Sequence, residues 1–378
     1  MLLDRILQID SMKPKLDIIQ LLRAVAAMLV CFFHMKGLLK EDGVGKMLFG
    51  NGSIGVPLFF MISGFIMHHT MRVENPQWKN IKIFLIKRLI RIVPLYLIMT
   101  TIYILVSGNG HFYFIEHPRL LLPTFFFFPT YANHIGPSYG MPALAVGWSL
   151  NYEVYFYVLI GLSMLFAKQR WLVLTGWLLA STLLFPLITN GFVMMSLSEW
   201  YGYSASYLSL MTNPVLLFFL VGIGISAIYN STIEPPSLFW ANAHVGLAVS
   251  VFVLFYFQVI QLLPGWYNHI LSCGFLLFSL LQRNKIKPYT VPRYLMFIGN
   301  SSFSLYLVHP IILNVFPKIL LASGLGIAFK GWIIFALLIA TILIIAGICA
   351  RFIESGFSVY LTNILLGNAL KKNETIHQ

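Results

Sequence analysis

Apolar runs close to 20 residues long recur along this chain, and they restrict its fold more than any other feature of the sequence. A helix of about 20 apolar residues crosses the hydrocarbon core of a bilayer. Of the 378 residues, 58% are hydrophobic and only 10% are charged. The sequence therefore predicts an all-α, polytopic membrane protein. We place ten transmembrane helices at residues 17–36, 53–71, 92–107, 144–166, 171–189, 211–229, 238–257, 267–281, 297–316 and 332–350.

The distribution of basic residues predicts the orientation of these helices. A net charge of +13 would suggest a nucleic-acid ligand for a soluble chain, but Lys and Arg of a membrane protein gather in cytoplasmic loops. With the amino terminus inside, the segments on the inner side hold 18 of the 25 basic residues. We therefore predict that both termini are cytoplasmic, and that the chain binds membrane lipid and no nucleic acid.

The organisation along the chain predicts one membrane domain. No soluble domain fits between the spans, so we assign residues 1–357 to a ten-helix domain and residues 358–378 to a short cytoplasmic tail. All three cysteines, Cys31, Cys273 and Cys349, fall inside predicted spans without ligand spacing. We therefore predict neither disulfides nor a metal site.

The first predicted span contains a cation and an imidazole, Arg23 and His34. Ionisable side chains are costly inside a membrane, so their presence there is a functional hypothesis by default. Eleven helical steps of about 100° bring His34 back to within roughly 20° of Arg23, about 16 Å further along the axis. We therefore expect the two side chains to share one helix face at two depths.

Basic residues are dense in the predicted inner loop at 72–91, where Arg88 and Arg91 stand at the start of the third span. Residues three apart share a helix side, and guanidinium groups match phosphate oxygens two at a time. A polyphosphate ligand from the cytoplasm would suit this pair. A basic loop at an inner membrane face is equally what orientation and anionic lipid require, so the cluster alone leaves both interpretations open.

The fourth span contains Glu153, the single acid that we place deep in any predicted span. A buried carboxylate either becomes neutral or finds a cation or an imidazole. Ser149 lies one turn earlier on the same face. Under the predicted topology Glu153 and His34 both lie in the outer half of the membrane, and we expect them to approach each other.

Polar residues also share one face of the ninth span, where Ser302, Tyr306 and His309 are in helical register. Polar groups of a membrane helix normally face the bundle interior. A lone intramembrane histidine is often a packing residue, so the sequence leaves the role of His309 open. The small residues Gly55 and Gly64 of the second span predict close helix packing.

Taken together, these stretches resemble the acyltransferase 3 family of integral membrane acyltransferases. The stretch at 147–157 is most similar to the branch that acetylates bacterial exopolysaccharide, and the resemblance covers about residues 17–356 in order. The motifs that carry it are Arg23-x10-His34, the Gly-Val-x-Leu-Phe-Phe-x-Ile-Ser-Gly-Phe run at 55–65, Arg88-x-x-Arg91 with Ile-Val-Pro-Leu-Tyr at 92–96, Gly-Trp-Ser-Leu-Asn-Tyr-Glu at 147–153, and Ser-Leu-Tyr-Leu-Val-His-Pro at 304–310.

The resemblance implies a multi-pass protein of the bacterial inner membrane. It implies an O-acetyltransferase with ten membrane helices that uses acetyl-CoA or another acyl-CoA as donor and a carbohydrate as acceptor. By position, His34 matches the family's essential histidine and Arg23 its partner in the same helix. Arg88 and Arg91 match the family's arginine pair.

This chain departs from the family pattern at two positions. Many members have Asp where this chain has Pro57, so a polar role there is absent. Members often show Glu followed by Pro near the carboxyl end, whereas Glu354 of this chain is followed by Ser355.

The resemblance and the predicted topology together give a mechanistic hypothesis. Arg88 and Arg91 hold the phosphates of CoA, and Arg23 steadies the donor part-way along. His34 acts as a general base toward a sugar hydroxyl, or carries the acyl group itself.

Four further residues have supporting roles in this hypothesis. Glu153 is the candidate to orient the His34 imidazole. Ser149 and Tyr306 are candidates to support the oxyanion, and His309 is a possible substrate contact.

A second functional class also fits a bundle with buried His, Arg and Glu, namely a proton-coupled transporter or exporter of a glycan or small molecule. The sequence shows no internal repeat, and its buried ionisable groups gather in a few helices, which favours the enzyme. A scaffold protein of a polysaccharide assembly complex would not need such polar faces.

Overall fold

The computed structural model describes residues 16–39, 43–71, 77–130, 135–194, 196–261, 267–324 and 331–374, with side chains to residue 366. These residues form helices and connecting turns, and there is no β-strand among them. The predicted all-α class is therefore confirmed.

Most of the described chain belongs to α-helices. In chain order they are α1 (Asp17–Met35), α2 (Val44–Phe49), α3 (Gly55–Thr70), α4 (Trp78–Val106), α5 (Leu121–Phe125), α6 (Trp148–Ser163), α7 (Arg170–Leu179), α8 (Phe185–Asn190), α9 (Ser206–Thr212), α10 (Leu216–Tyr229), α11 (Leu238–Tyr256), α12 (Tyr267–His269), α13 (Phe275–Ile286), α14 (Arg293–Asn300), α15 (Ser302–Ala322), α16 (Trp332–Cys349) and α17 (Ser358–Glu374). Wider π-helical turns lie at Phe112–Glu116, Ala180–Leu184, Ile270–Gly274 and Ala350–Phe357.

Within the described residues, eight continuous helical stretches are long and apolar enough to cross a bilayer, which confirms a multi-pass membrane protein. One of them, Ala145–Asn190, covers two predicted spans. It is broken at Ala167, whose φ of 47° and ψ of −112° are not helical. The predicted span at 267–281 lies in a helical stretch that is not among the eight. The count of ten spans and the orientation of the termini stay predictions.

The predicted inner loop at 72–91 is wrong beyond residue 77, because α4 begins at Trp78. The helix therefore contains Arg88 and Arg91 well inside its length. The reason is that hydropathy detects where a helix enters the bilayer rather than where it begins. Neither Gly nor Pro interrupts residues 78–93, so nothing in that stretch prevents the helix from extending beyond the apolar span.

The described helices belong to two compact units. The first contains α1–α3, α8 and α10–α14. The second contains α4–α6, α16 and α17, together with α15 from Phe303 onward. Three of the five unit boundaries fall within α7, within α9 and at the start of α15.

Glycines allow helices of the first unit to cross at backbone contact. A Cβ on Gly64 of α3 would overlap the carbonyl oxygen of Phe219 in α10, and a Cβ on Gly222 would overlap that of Met61. Each helix thus contributes a glycine to the same crossing. Gly55 lies in the same way against Ala26 of α1, so the predicted close packing of α3 is confirmed.

In the second unit, α4 packs against α6 and against the helical stretch that runs from the π-helical turn at 350–357 into α17. Leu366 of α17 is buried. The helix passes through the predicted boundary at residue 357 without interruption. The division into a domain at 1–357 and a tail at 358–378 stays a prediction.

The glycine crossing predicts a sharp difference between two neighbouring substitutions in α10. We expect Gly222→Ala to destabilise the protein by about 1–3 kcal/mol, because the new methyl group meets the Met61 backbone. Gly224→Ala is the matched control, because a Cβ there has open space and helix propensity favours Ala by up to about 1 kcal/mol. Thermal unfolding in detergent measures both, and equal melting temperatures would contradict the crossing.

Candidate functional site

Arg23 and His34 both lie in the uninterrupted helix α1, as the sequence predicted. Arg23 is half-buried and donates from Nη1 to Oε1 of Gln20 at 3.3 Å. His34 is exposed in the last turn of the helix. Their eleven-residue separation corresponds to about 16 Å along the axis. The first unit therefore presents a cation and an imidazole on one face, at two depths.

The position of the His34 ring determines which of its nitrogens can act as a base. Nδ1 lies 2.9 Å from the carbonyl oxygen of Val30, one turn earlier in α1. A carbonyl only accepts hydrogen bonds, so Nδ1 carries the proton of the neutral ring and Nε2 carries the lone pair. Nε2 is therefore the atom that would take a proton or bond to an acyl carbon.

A cation stands close to His34 at the end of α1. The Lys36 ammonium nitrogen lies 3.6 Å from the centroid of the Phe33 ring, and the Phe33 and His34 rings meet edge to face at 5.2 Å. An ammonium group held over an aromatic face is a stable cation–π arrangement. The Lys36 ammonium and the His34 ring thus contact the same Phe33 ring. The sequence analysis placed Lys36 at the end of the first predicted span, 17–36, and gave it no role.

In the second unit, Arg88 and Arg91 are half-buried on α4. The Arg88 guanidinium carbon lies 5.7 Å from the ring centroid of Phe84 and 5.9 Å from that of Tyr157. Among the described residues, neither arginine forms an ion pair within 4.0 Å. A half-buried guanidinium group with no carboxylate partner keeps its donors available for an anion.

Glu153 has a partner that the sequence analysis missed. The hydroxyl of Tyr157, one turn later in α6, donates a hydrogen bond to Oε1 of Glu153. The Tyr157 ring also meets Phe84 edge to face, with 6.4 Å between centroids. The i, i+4 spacing of Glu153 and Tyr157 is visible in the sequence and is the signal that could have found this pair.

Tyr157 links the acid and the arginine pair within the second unit. Glu153 accepts its hydroxyl, and the Arg88 guanidinium lies beside its ring. The structure thus brings together Glu153 and Arg88, which the sequence analysis placed at different depths. The predicted approach of Glu153 to His34 joins the two units and stays a prediction.

Ser149 and Tyr306 form a buried hydrogen-bonded pair between α6 and α15. Their hydroxyl oxygens are 2.8 Å apart, and the Tyr306 hydroxyl donates to the Val146 carbonyl at 3.0 Å. The Ser149 hydroxyl also lies 3.2 Å from that carbonyl. Their protons are engaged within this contact, so the geometry favours a packing role. Support of an oxyanion stays a prediction.

His309 is fully buried in α15. Its Nδ1 lies 3.1 Å from the carbonyl oxygen of Leu305, one turn earlier in the helix. The ring centroids of Tyr306 and His309 are 6.0 Å apart. His309 therefore has the same backbone contact as His34 but none of its exposure, and its predicted contact with a substrate stays a prediction.

Comparison with known proteins identifies relatives of the chain. A family model described as an acyltransferase domain, of the acyltransferase 3 family, matches residues 16–351. The exopolysaccharide production protein ExoZ of Rhizobium meliloti (strain 1021) is 30% identical over 285 residues, which cover 73% of this chain and 81% of that protein. No solved structure matches the chain. The matched stretch includes all the site residues predicted from the sequence.

The contact between Tyr157 and Glu153 predicts different costs for two substitutions. Glu153→Ala leaves the buried Tyr157 hydroxyl without this acceptor, and we expect a loss of about 1–3 kcal/mol in the free energy of unfolding. Glu153→Gln keeps a side-chain oxygen and should cost clearly less. Thermal unfolding in detergent compares the two variants, and equal losses would show that the hydrogen bond has no part in stability.

Proposed function

This chain belongs to the acyltransferase 3 family of integral membrane acyltransferases, and from that premise we propose that it moves an acetyl group, or a larger acyl group, from cytoplasmic acyl-CoA to a hydroxyl of an exported carbohydrate. The protein acts in the inner membrane of a bacterium. Its similarity to an exopolysaccharide production protein supports a polysaccharide, or its lipid-linked precursor, as acceptor.

The exposure and the backbone contact of His34 are the observations that carry this proposal. The His34 imidazole is exposed in the last turn of the helix that also carries Arg23, so a substrate can reach it. The Val30 carbonyl selects the tautomer whose lone pair is on Nε2. His309 has the same backbone contact but is fully buried, so exposure is what distinguishes the His34 ring from it.

His34 serves as the general base of the transfer. Nε2 takes the proton of the acceptor hydroxyl while the hydroxyl oxygen bonds to the acyl carbon. The bond from that carbon to sulfur then breaks, and the departing thiolate of CoA takes up the proton held by Nε2, which restores the neutral imidazole. Lys36, held over the Phe33 ring, stabilises the negative charge that develops beside His34. In the two-step variant of this reaction, Nε2 first carries the acyl group itself.

Arg88 and Arg91 hold the phosphates of the donor. The head of CoA is rich in phosphate, and guanidinium groups bind phosphate oxygens through paired hydrogen bonds. The absence of an ion pair within 4.0 Å of either arginine, among the described residues, fits a site whose counter-ion is a ligand. Arg23 on α1 is the further cation for the donor, with Gln20 fixing its side chain.

Replacing His34 tests the catalytic proposal. We expect His34→Gln to lower acyl transfer by about 10²- to 10⁴-fold, because the general base is lost. Purified protein is incubated with radiolabelled acetyl-CoA and the purified polysaccharide of the host strain, and label in the polysaccharide is counted. His244→Gln is the matched control, because His244 is another exposed imidazole on a membrane helix, α11. Full transfer by the His34 variant would overturn the assignment.

Replacing the arginine pair tests the donor site. We expect Arg88→Ala with Arg91→Ala to raise the Kd for CoA by about 10- to 100-fold, because charge-assisted bonds to phosphate are lost and each factor of ten corresponds to about 1.4 kcal/mol. Lys82→Ala is the control, since Lys82 is an exposed cation on the same helix.

Isothermal titration with CoA and with pantetheine separates a phosphate site from general damage. Pantetheine lacks the nucleotide phosphates, so its weaker binding should not respond to the arginine variants. An equal loss for both ligands, or an unchanged Kd for CoA, would contradict the phosphate site.

A further inference from the structure

Helix α4 contains a proline next to the arginine pair. Pro94 has no N–H, so the carbonyl of Ile90, four residues earlier, loses its donor within the helix. A buried backbone carbonyl without a partner is costly, and more so inside a membrane, where water cannot replace the donor. Ile90 lies between Arg88 and Arg91. The gap in the helical hydrogen bonds that Pro94 causes therefore falls within the turn that carries both guanidinium groups.

A side chain from the last helix fills the gap. The hydroxyl of Ser358, the first residue of α17, donates to the Ile90 carbonyl at 3.2 Å. The two residues are 268 positions apart in the chain. The contact therefore ties the carboxy-terminal helix to the turn of α4 that carries the arginines.

The π-helical turn that precedes Ser358 also has a hydrogen bond to another helix. Glu354 accepts a hydrogen bond from the Ser304 hydroxyl at 2.8 Å, and Ser304 is fully buried on α15. Glu354 lies in the π-helical turn Ala350–Phe357, one turn before Ser358. Such wide turns are frequent at functional sites and need surrounding contacts to persist. The stretch from Glu354 to Ser358 is thus bound to α15 at one end and to α4 at the other.

We propose that Ser358 is a positioning residue for the arginine pair, which it holds in place by replacing the helical hydrogen bond that Pro94 removes. The proposal rests on the proposed function of Arg88 and Arg91 as the site for the donor phosphates. A turn next to a proline is free to bend unless its open carbonyl is bound. Paired hydrogen bonds to phosphate depend steeply on distance and angle, so a bend at Ile90 weakens them.

Removing the Ser358 hydroxyl tests the proposal. We expect Ser358→Ala to raise the Kd for CoA and the KM for acetyl-CoA about three- to tenfold, with kcat at saturating donor within about twofold of the wild-type value. Ser358→Thr keeps a hydroxyl and should bind CoA as the wild type does. Thr362→Val is the matched control, because Thr362 donates one turn later to the Ser358 carbonyl, within the same helix.

Pro94→Ala distinguishes positioning from a general contribution to stability. Alanine restores an N–H that bonds to the Ile90 carbonyl, so the Ser358 hydroxyl becomes dispensable. In the Pro94→Ala background, we expect Ser358→Ala to change the Kd for CoA by less than about twofold, as a double-mutant cycle. The Ser358→Ala, Ser358→Thr and Thr362→Val series tests the proposal alone if the Pro94 variant does not fold.

The outcomes separate this inference from the donor site. If Ser358→Ala binds CoA as the wild type does while the arginine variants lose CoA, the positioning role is wrong and the donor site stands. If the arginine variants bind CoA normally, the donor site fails and this inference fails with it. An equal loss of CoA and pantetheine binding, or a penalty that persists in the Pro94→Ala background, would also overturn the positioning role.

Discussion

The constraint on which this structure depends is that a polar group inside a bilayer has no water to bond with and must find its partner in the protein. The Ile90 carbonyl, which has no helical donor because of Pro94, accepts a hydrogen bond from the Ser358 hydroxyl. The Tyr157 hydroxyl donates a hydrogen bond to Glu153. Nδ1 of His34 forms a hydrogen bond with a backbone carbonyl of its own helix. Against this background the arginine pair of α4 is informative. In the part of the chain that the structure describes, neither arginine has an ion pair within 4.0 Å, which agrees with the proposal that the pair binds the phosphates of the donor.

The first unit supplies a rigid support for the helix that carries Arg23. A Cβ on Gly299 of α14 would overlap the Gln20 carbonyl, and a Cβ on Gly55 of α3 would overlap that of Ala26. The α1 backbone is therefore in contact with other helices on both sides of Arg23. Functional groups on rigid elements hold their geometry better than groups on loops. The crossing of α3 and α10 through their glycines extends the same support to α3.

The sequence predicts what depends on composition and on spacing within one helix, and it misses what depends on distant pairing. Apolar runs located the eight described stretches that are long and apolar enough to cross a bilayer, and the eleven-residue spacing placed Arg23 and His34 on one face of α1. The pairing of Ser149 with Tyr306 spans 157 positions, and that of Ser304 with Glu354 spans 50. No local pattern in a single sequence specifies such partners. Tyr157 is different, because its spacing from Glu153 was visible and only its role was overlooked.

The two departures from the family pattern have different physical consequences. Pro57 lies in the first turn of α3, directly after the 3₁₀ turn Gly52–Ile54, and the helix continues through it. Glu354 is followed by Ser355, where a proline would lack an N–H and its ring would crowd the preceding turn. The helix continues from the π-helical turn into α17, and this continuity brings Ser358 to the Ile90 carbonyl. Pro94 leaves the Ile90 carbonyl without its helical donor, and the helix that runs from the π-helical turn into α17 supplies the Ser358 hydroxyl that binds it.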